Sequence, residues 1–405
     1  MRRLQVGALE ERDFRRVFAS TTISAAGDGV AAIALVFAVL EISGNSATAV
    51  GVVLACRQGA SAIVTLAAGV IADRVPRHVV LVAIAGVQAV VQGIVAALIL
   101  GGSATVGALA GLADGFEIPA SQGLIPLVVS EARLQEANAL LGLSRSILGF
   151  AAPVLGGLLV AAGSPGGAIV IDAVSFAAAA ALLAGVHLPA RADVIRAEPF
   201  LREFRQGWRE FRRQDWIWTT IVFFGLANFA AQARSVLAPL VMKQHYHGAS
   251  TYGLFLAAFG LGLIIGGVVA LRWRPTRILL VSCLASTPLS FSTIALAFLA
   301  PAPLLYALQV LAGVGLAVHL ALWFTVFQQE VPEHARSRVS SYDALGSFVL
   351  VPVGLAVAGP VAGAVGITAT LLGSAATMLV TKAIVVSRPS VWAIRRRAVP
   401  AMAPA

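Results

Sequence analysis

Seven charged residues lie deep inside long apolar runs: Asp28, Arg57, Asp114, Glu117, Arg145, Asp172 and Arg234. In such surroundings an ionised side chain needs a partner, a water-filled cavity or a function. A carboxyl beside a guanidinium in a poorly solvated place can hold a static pair, bind and release a proton, or exchange its partner for a charged solute. Asp28 lies about 12 residues from one end of its run, and Arg57 about 10 residues from the matching end of the next. At ~1.5 Å of rise per residue their depths agree within a turn, so a pair is feasible. It has two readings: a lock between two helices, or a titrating or substrate-contacting site. Glu117 and Arg145 match in the same way, each about ten residues from the other end of its run, with Asp114 one turn from Glu117 on the same face. Two acids sharing one Arg cannot both ionise cheaply, so proton coupling at Asp114 or Glu117 stands beside structural or substrate-recognition duties. Asp172 can cap or anchor its helix, or stand with the other acids as a proton-coupling or substrate-contacting residue. Asn228, Gln232 and Arg234 make a polar row suited to an anionic or hydroxyl-rich solute.

Other residue types offer less. Cys56 and Cys283 both sit in apolar runs, so neither a disulfide framework nor a metal cluster is expected. His245 and His247 lie between runs without further ligands, and His319 reads as a hydrogen-bonded core residue. Gly260-Leu-Gly262-x-x-x-Gly266 lies inside an apolar run with no strand before it, which favours close helix packing over nucleotide binding. Trp323, Phe324 and Phe327 suit helix packing, or the lining of a cavity. No nucleophile, acid pair or metal cluster is apparent. An enzyme is not expected, and neither is a cofactor or a metal.

The elements that position these residues are twelve runs, roughly 16–40, 47–72, 78–100, 103–128, 136–162, 166–187, 216–242, 250–271, 277–300, 303–328, 339–362 and 366–386. Each is near the ~20 residues with which an α-helix crosses a bilayer core. With 59% apolar and 12% charged residues and a mean hydropathy of +0.88, a water-soluble fold is excluded. All Lys and Arg except Arg57, Arg145, Arg234 and Lys243 fall in the two tails or in the alternate loops that share their side. Basic loops stay cytoplasmic, so both termini are expected inside. The net charge of +10 follows from this arrangement and from attraction to anionic lipid; nucleic acid is not an expected partner. The first run exceeds a signal-peptide core and lacks a clean cleavage site, so it reads as a retained span.

The halves repeat. Gly69 to Val82 (GVIADRVPRHVVLV) parallels Gly267 to Val281 (GVVALRWRPTRILLV), and Ala152-Pro153-Val154-Leu155-Gly156 parallels Val351-Pro352-Val353-Gly354. The expected organisation is a cytoplasmic tail (1–15), a six-helix half (16–187), a linker (188–215), a second six-helix half (216–386) and a cytoplasmic tail (387–405). In the linker Phe200, Phe204, Trp208 and Phe211 recur at helical spacing among Arg202, Arg205, Arg209, Arg212 and Arg213, as in an amphipathic helix lying on the membrane. Two parallel six-helix halves suit a transporter that rocks one half against the other.

Gly69-Val-Ile-Ala-Asp73-Arg74-Val-Pro76-Arg77-His78 resembles the Gly-x-x-x-Asp-Arg-x-Gly-Arg-Arg loop of the major facilitator superfamily, with Pro76 for the second Gly. A carboxylate and guanidinia at a helix end can bridge to the neighbouring half in one conformation and release it in another. Gly27-Asp28-Gly29, Ile118-Pro119-Ala120, Ile125-Pro126, Glu136-Ala137-Asn138-Ala139, Ala152-Pro153-x-x-Gly156-Gly157 and Ile171-Asp172-Ala173-Val174-Ser175-Phe176 look like the enterobactin-exporter and macrolide-efflux-like branch. The resemblance spans nearly the whole chain. It implies an all-α fold of twelve helices in two pseudo-symmetric halves. The activity it implies is export of a small molecule from a bacterial cytoplasm, by alternating access with protons as coupling ion and a monomer as functional unit. It makes Gly69, Asp73, Arg74 and Arg77 a conformational-switch loop and Pro153, Gly156 and Gly157 an antiporter-like motif. Two departures stand out: Ala152 replaces the usual Gly before Pro153, and the fourth span carries Asp114 and Glu117 where many drug exporters have Arg. The same fold permits an importer or facilitator, and a non-transporting scaffold or sensor is the rival from another class.

The charge bias makes a direct prediction. A membrane-impermeant thiol reagent should miss cysteines placed at positions 74, 205 and 336 in intact cells and reach those at 165 and 248. Labelling at 205 from outside would overturn the topology.

Overall fold

Hydrocarbon leaves backbone N–H and C=O groups no partner but each other, so a long apolar run that enters it must coil into a helix. A computed structural model describes residues 7–71, 77–100, 125, 128–130, 133–163, 165–186 and 215–396. Its helices are α1 (Arg12–Ile42), α2 (Ala47–Ile71), α3 (Arg77–Leu100), α4 (Leu134–Ala161), α5 (Pro165–Ala184), α6 (Asp215–His245), α7 (Ala249–Arg272), α8 (Ile278–Ala285), α9 (Pro288–Ala297), α10 (Ala302–Glu330), α11 (Glu333–Phe348), α12 (Val351–Val365), α13 (Ile367–Val386) and α14 (Pro389–Ala393). Among the described residues nine helical stretches are long and apolar enough to cross a membrane, counting α8 with α9 and Tyr342–Val365 as single spans. Nearly all of the expected fourth span and the amphipathic segment around Phe200–Phe211 lie outside the described residues.

Two expected spans are broken helices. The ninth parts between Ala285 and Pro288, because Pro288 has no N–H with which to continue α8 and instead opens α9 at its first position. Thr287 N–H turns back to Leu284 O at 3.0 Å. The eleventh parts between Phe348 and Val351, one residue before Pro352, and its first piece starts at Glu333, earlier than its apolar run. Between α1 and α2 the chain reverses through Gly44 and Asn45, with φ of 64° and 67°, residue types that tolerate this left-handed region.

By packing, the chain divides into two units. The first comprises Met1–Arg196, Ser235–Ala257 and Leu355–Ala364; the second comprises Ala197–Arg234, Ala258–Gly354 and Val365–Ala405. In the first, α5 packs along α1 and α3, and α4 packs along α1. Close approach is made possible by glycine. A Cβ on Gly156 would lie 2.9 Å from Val30 O, and one on Gly157 would lie 2.6 Å from Ala249 O and 3.1 Å from Gly253 Cα. Gly253 faces Pro153 O just as tightly, at 2.5 Å. Thus the Pro153-x-x-Gly156-Gly157 stretch carries α1 on one side and the start of α7 on the other. At one end Phe14, Val17, Val128, Ala137, Leu141 and Leu183 form an apolar cluster.

In the second unit α8 and α9 pack on α10, and α9 also on α13. Gly262 and Gly313 meet backbone to backbone, as the glycine pattern near 260–266 suggested. The core gathers Trp216, Ile217, Ile221, Ile278, Val326 and Val391, so the short helix α14 docks through a fully buried side chain. Trp392 donates to Val386 O and lies under the Arg277 guanidinium, 4.8 Å from its ring centre. Large apolar side chains that remain exposed, such as Val90, Leu158, Val174 and Leu271, suit hydrocarbon rather than water.

The α4–α7 contact can be tested against an open glycine on the same helix. Gly157→Leu should overpack and cost about 1–3 kcal/mol, whereas Gly149→Ala, with nothing within 4 Å of its Cβ, should be neutral or stabilising by up to about 1 kcal/mol. Thermal unfolding of the purified protein reads both, and an unchanged midpoint for Gly157→Leu would contradict the packing.

Candidate functional site

Asp28 sits near the middle of α1, between two glycines that serve different neighbours. A Cβ on Gly27 would lie 2.5 Å from Asp172 Oδ1 and collide with the Ser175 hydroxyl, so α5 closes against that face. A Cβ on Gly29 would lie 2.5 Å from the Ala152 methyl, so α4 closes against another. With both faces taken by near-backbone contact, the Asp28 side chain projects toward α2. Arg57 Nη2 lies 4.0 Å from Asp28 Oδ1, and the two side chains keep 20% and 30% of their surface accessible, Arg57 the lower. This is the depth match read from the sequence. The contact is long, unlike a closed bidentate pair. Although Asp28 Oδ1 itself is buried, both side chains keep accessible surface along which a proton or a solute group can approach.

Asp172 is fully buried in α5 beside Gly27. The Ser175 hydroxyl donates to Asp172 O at 2.7 Å and approaches Asp172 Oδ1 at 3.3 Å. Nearby, the hydroxyls of Thr22 on α1 and Ser144 on α4 lie 2.9 Å apart. Arg145, next in sequence, is exposed on α4. Its expected partners Asp114 and Glu117 lie outside the described residues, as do Asp73 and Arg74. Gly69 falls in the last turn of α2, and Arg77 opens α3.

In the second unit, α6 carries the polar row. Asn228 Nδ2 donates to Ser347 O of α11 at 2.9 Å, and Gln232 Nε2 donates to Asn228 O at 3.0 Å. Gly225 lets α6 meet Gly346 backbone to backbone, and Gly354 reaches Phe229 O, where a Cβ would lie at 2.5 Å. Arg234, the last α6 residue of this unit, is half-buried. The amides of Asn228 and Gln232 are therefore spent largely on holding helices together.

Two charged residues escape a reading of the sequence. Asp343 on α11 accepts from Trp323 Nε1 at 2.9 Å and from the Ser347 hydroxyl at 3.2 Å. Its signal is weaker than that of Asp28, an acid only a few residues inside the edge of its apolar run. Lys382 reads as a tail charge but belongs to α13, and its Nζ donates to Ser286 O at 2.7 Å. His319 is buried and bonded to Ser282, and its ring stacks on Phe224 with centres 4.8 Å apart. Trp323 and Phe327 are buried in the core while Phe324 is exposed. Among the described residues no three His, Cys, Asp or Glu side chains gather in a metal-like group.

This geometry can be set beside known proteins. The family model described as Major Facilitator Superfamily matches residues 17–355 and 234–399. The chain is 27% identical over 407 aligned positions to the multidrug efflux pump Tap of Mycobacterium tuberculosis, covering 92% of each. It is 28% identical over 371 positions to the enterobactin exporter EntS of Salmonella typhimurium, covering 87% of each. In fold it is similar to a bacterial homologue of the iron transporter ferroportin in its inward-facing state, with a TM-score of 0.72, 17% identity and coverage of 93% and 99%. It is similar also to a point mutant of the nucleoside transporter NupG, with a TM-score of 0.74, 12% identity and coverage of 92% and 98%. Motif, helix order and relatives agree: the chain belongs to the major facilitator superfamily.

Proposed function

We propose that this multi-pass transporter exports a small molecule across the bacterial plasma membrane by proton antiport, with alternating access between two six-helix halves. What carries the reading is the Asp28–Arg57 pair: an acid and a base inside the membrane span, 4.0 Å apart and still part-exposed. A static lock gains most when it is short and dry. A coupling site must instead admit a proton, let the acid release its base, and let another group take the vacated place. Efflux relatives that match most of the chain support the direction of transport. Substrate contact falls to Arg57 when Asp28 is protonated.

The Asp73-Arg74 loop sets the balance between the two conformations in this reading, by bridging helix ends in one and releasing them in the other. The Pro153-x-x-Gly156-Gly157 stretch contributes as a close-packed seam on α4, where glycines allow backbone contact on both sides.

Asp28→Asn mimics the protonated acid permanently. It should reduce pH-driven efflux at least about tenfold, the factor set by ~1.4 kcal/mol, while substrate exchange across vesicles is retained. Normal proton-driven efflux by this variant would remove Asp28 from the coupling step. Replacing both partners, Asp28→Asn with Arg57→Gln, should give a folded but inactive protein; recovery of transport would identify the pair as a lock. Asp73→Asn should reduce transport with abundance unchanged, and full activity would leave the loop as a topology signal alone.

A further inference from the structure

Lys382 lies four residues before the end of α13, a position from which a lysine ordinarily extends its amine to the nearest water. It turns inward instead. Its Nζ donates to Ser286 O, at the break between α8 and α9, and no carboxylate pairs with it among the described residues. Lys382 lines a small cavity, with room for little more than a water-sized group, together with Thr220, Phe224, Cys283, Ser286 and His319. Every lining residue belongs to the second unit.

The polar groups around this cavity are unevenly used. His319 is engaged: its Nδ1 is 2.9 Å from Ser282 O and 3.0 Å from the Ser282 hydroxyl. The Ser286 hydroxyl approaches Cys283 O at 3.3 Å. Thr220 is different. It is 4% exposed, and its Oγ1 has no hydrogen-bond partner. A buried hydroxyl left unmet is costly, and a half-buried ammonium without a counter-charge gives up part of its hydration unrepaid. Both residues line the same cavity, whose accessible surface is mostly apolar. One ligand meets both: a group with one negative charge for the amine and a lone pair for the hydroxyl proton.

We propose that the cavity between α6, α8, α10 and α13 binds a compact, singly charged anion, with Lys382 supplying the counter-charge and Thr220 the hydrogen bond. Chloride and the carboxylate of a small organic solute share this chemistry. One cation balances one charge, so a doubly charged anion would carry an unmatched charge into apolar walls. Cys283 and Phe224 bound the site by volume and by exclusion of water. The inference rests on the second unit alone and holds whether or not the Asp28–Arg57 pair couples protons.

The test uses the purified full chain and its thermal unfolding at constant ionic strength and pH. Sodium gluconate, whose anion is too bulky, is replaced stepwise by sodium chloride or by sodium acetate. A saturable rise in midpoint is expected with at least one of the small anions. Chloride acting alone identifies a halide site, and acetate acting alone a carboxylate site. Thr220→Val, nearly isosteric and therefore expected to fold, should raise the half-saturating concentration about tenfold through the lost hydrogen bond. Lys382→Met should abolish the response. Identical melting in all three salts, or a response unaltered in both variants, would overturn the proposal.

Discussion

A bilayer core supplies neither hydrogen bonds nor counter-charge, and most of this protein follows from that lack. Backbone polarity is consumed inside helices, so side-chain polarity is what remains to be placed. Helix packing gains no hydrophobic drive from lipid and depends on close contact, which is why α1, α4 and α7 meet at glycines. The same constraint governs the charges. Asp28 can persist on α1 because its flanking glycines draw α4 and α5 in tightly and leave it the side facing Arg57. Packing and, in the proposed reading, coupling are thus two uses of one short motif, Gly27-Asp28-Gly29.

The broken spans follow from related physics. Proline at 288 ends one helix and starts another within a single apolar run, freeing carbonyls at the junction. One of them, Ser286 O, is met by the Lys382 amine. A backbone break inside the membrane therefore has a charged side chain bonded to it, and a small, mostly apolar cavity opens beside that bond. Discontinuous helices are where membrane transporters gather polar groups, since released backbone needs partners or a cavity. In this chain the break and the unspent threonine stand together.

Much of this is legible in the residues. Run length marks the spans, since only about 20 apolar residues reach across. The Asp28–Arg57 contact is legible because rise per residue turns sequence position into depth on adjacent helices. Depth says nothing about rotation, however, and helices apolar on every face give no sign of which side points inward. That is why Gly253 is not foreseeable as the partner of Gly157, and why Lys382 reads as one more tail charge. Asp343 escapes notice for a different reason: its helix begins at Glu333 among polar residues, so it sits near the edge of its apolar run. The breaks at Pro288 and near Pro352 are visible as prolines, but hydropathy alone passes through them.

The central claim is that outward movement of a solute is driven by inward movement of protons through the wild-type chain. Uphill accumulation in inverted membrane vesicles tests it most directly, with candidate lipophilic drugs and siderophores as solutes and an imposed inward-acid pH gradient as the only driving force. The account predicts accumulation above the external concentration that collapses when a protonophore is added. Accumulation that persists unchanged in the protonophore would contradict it.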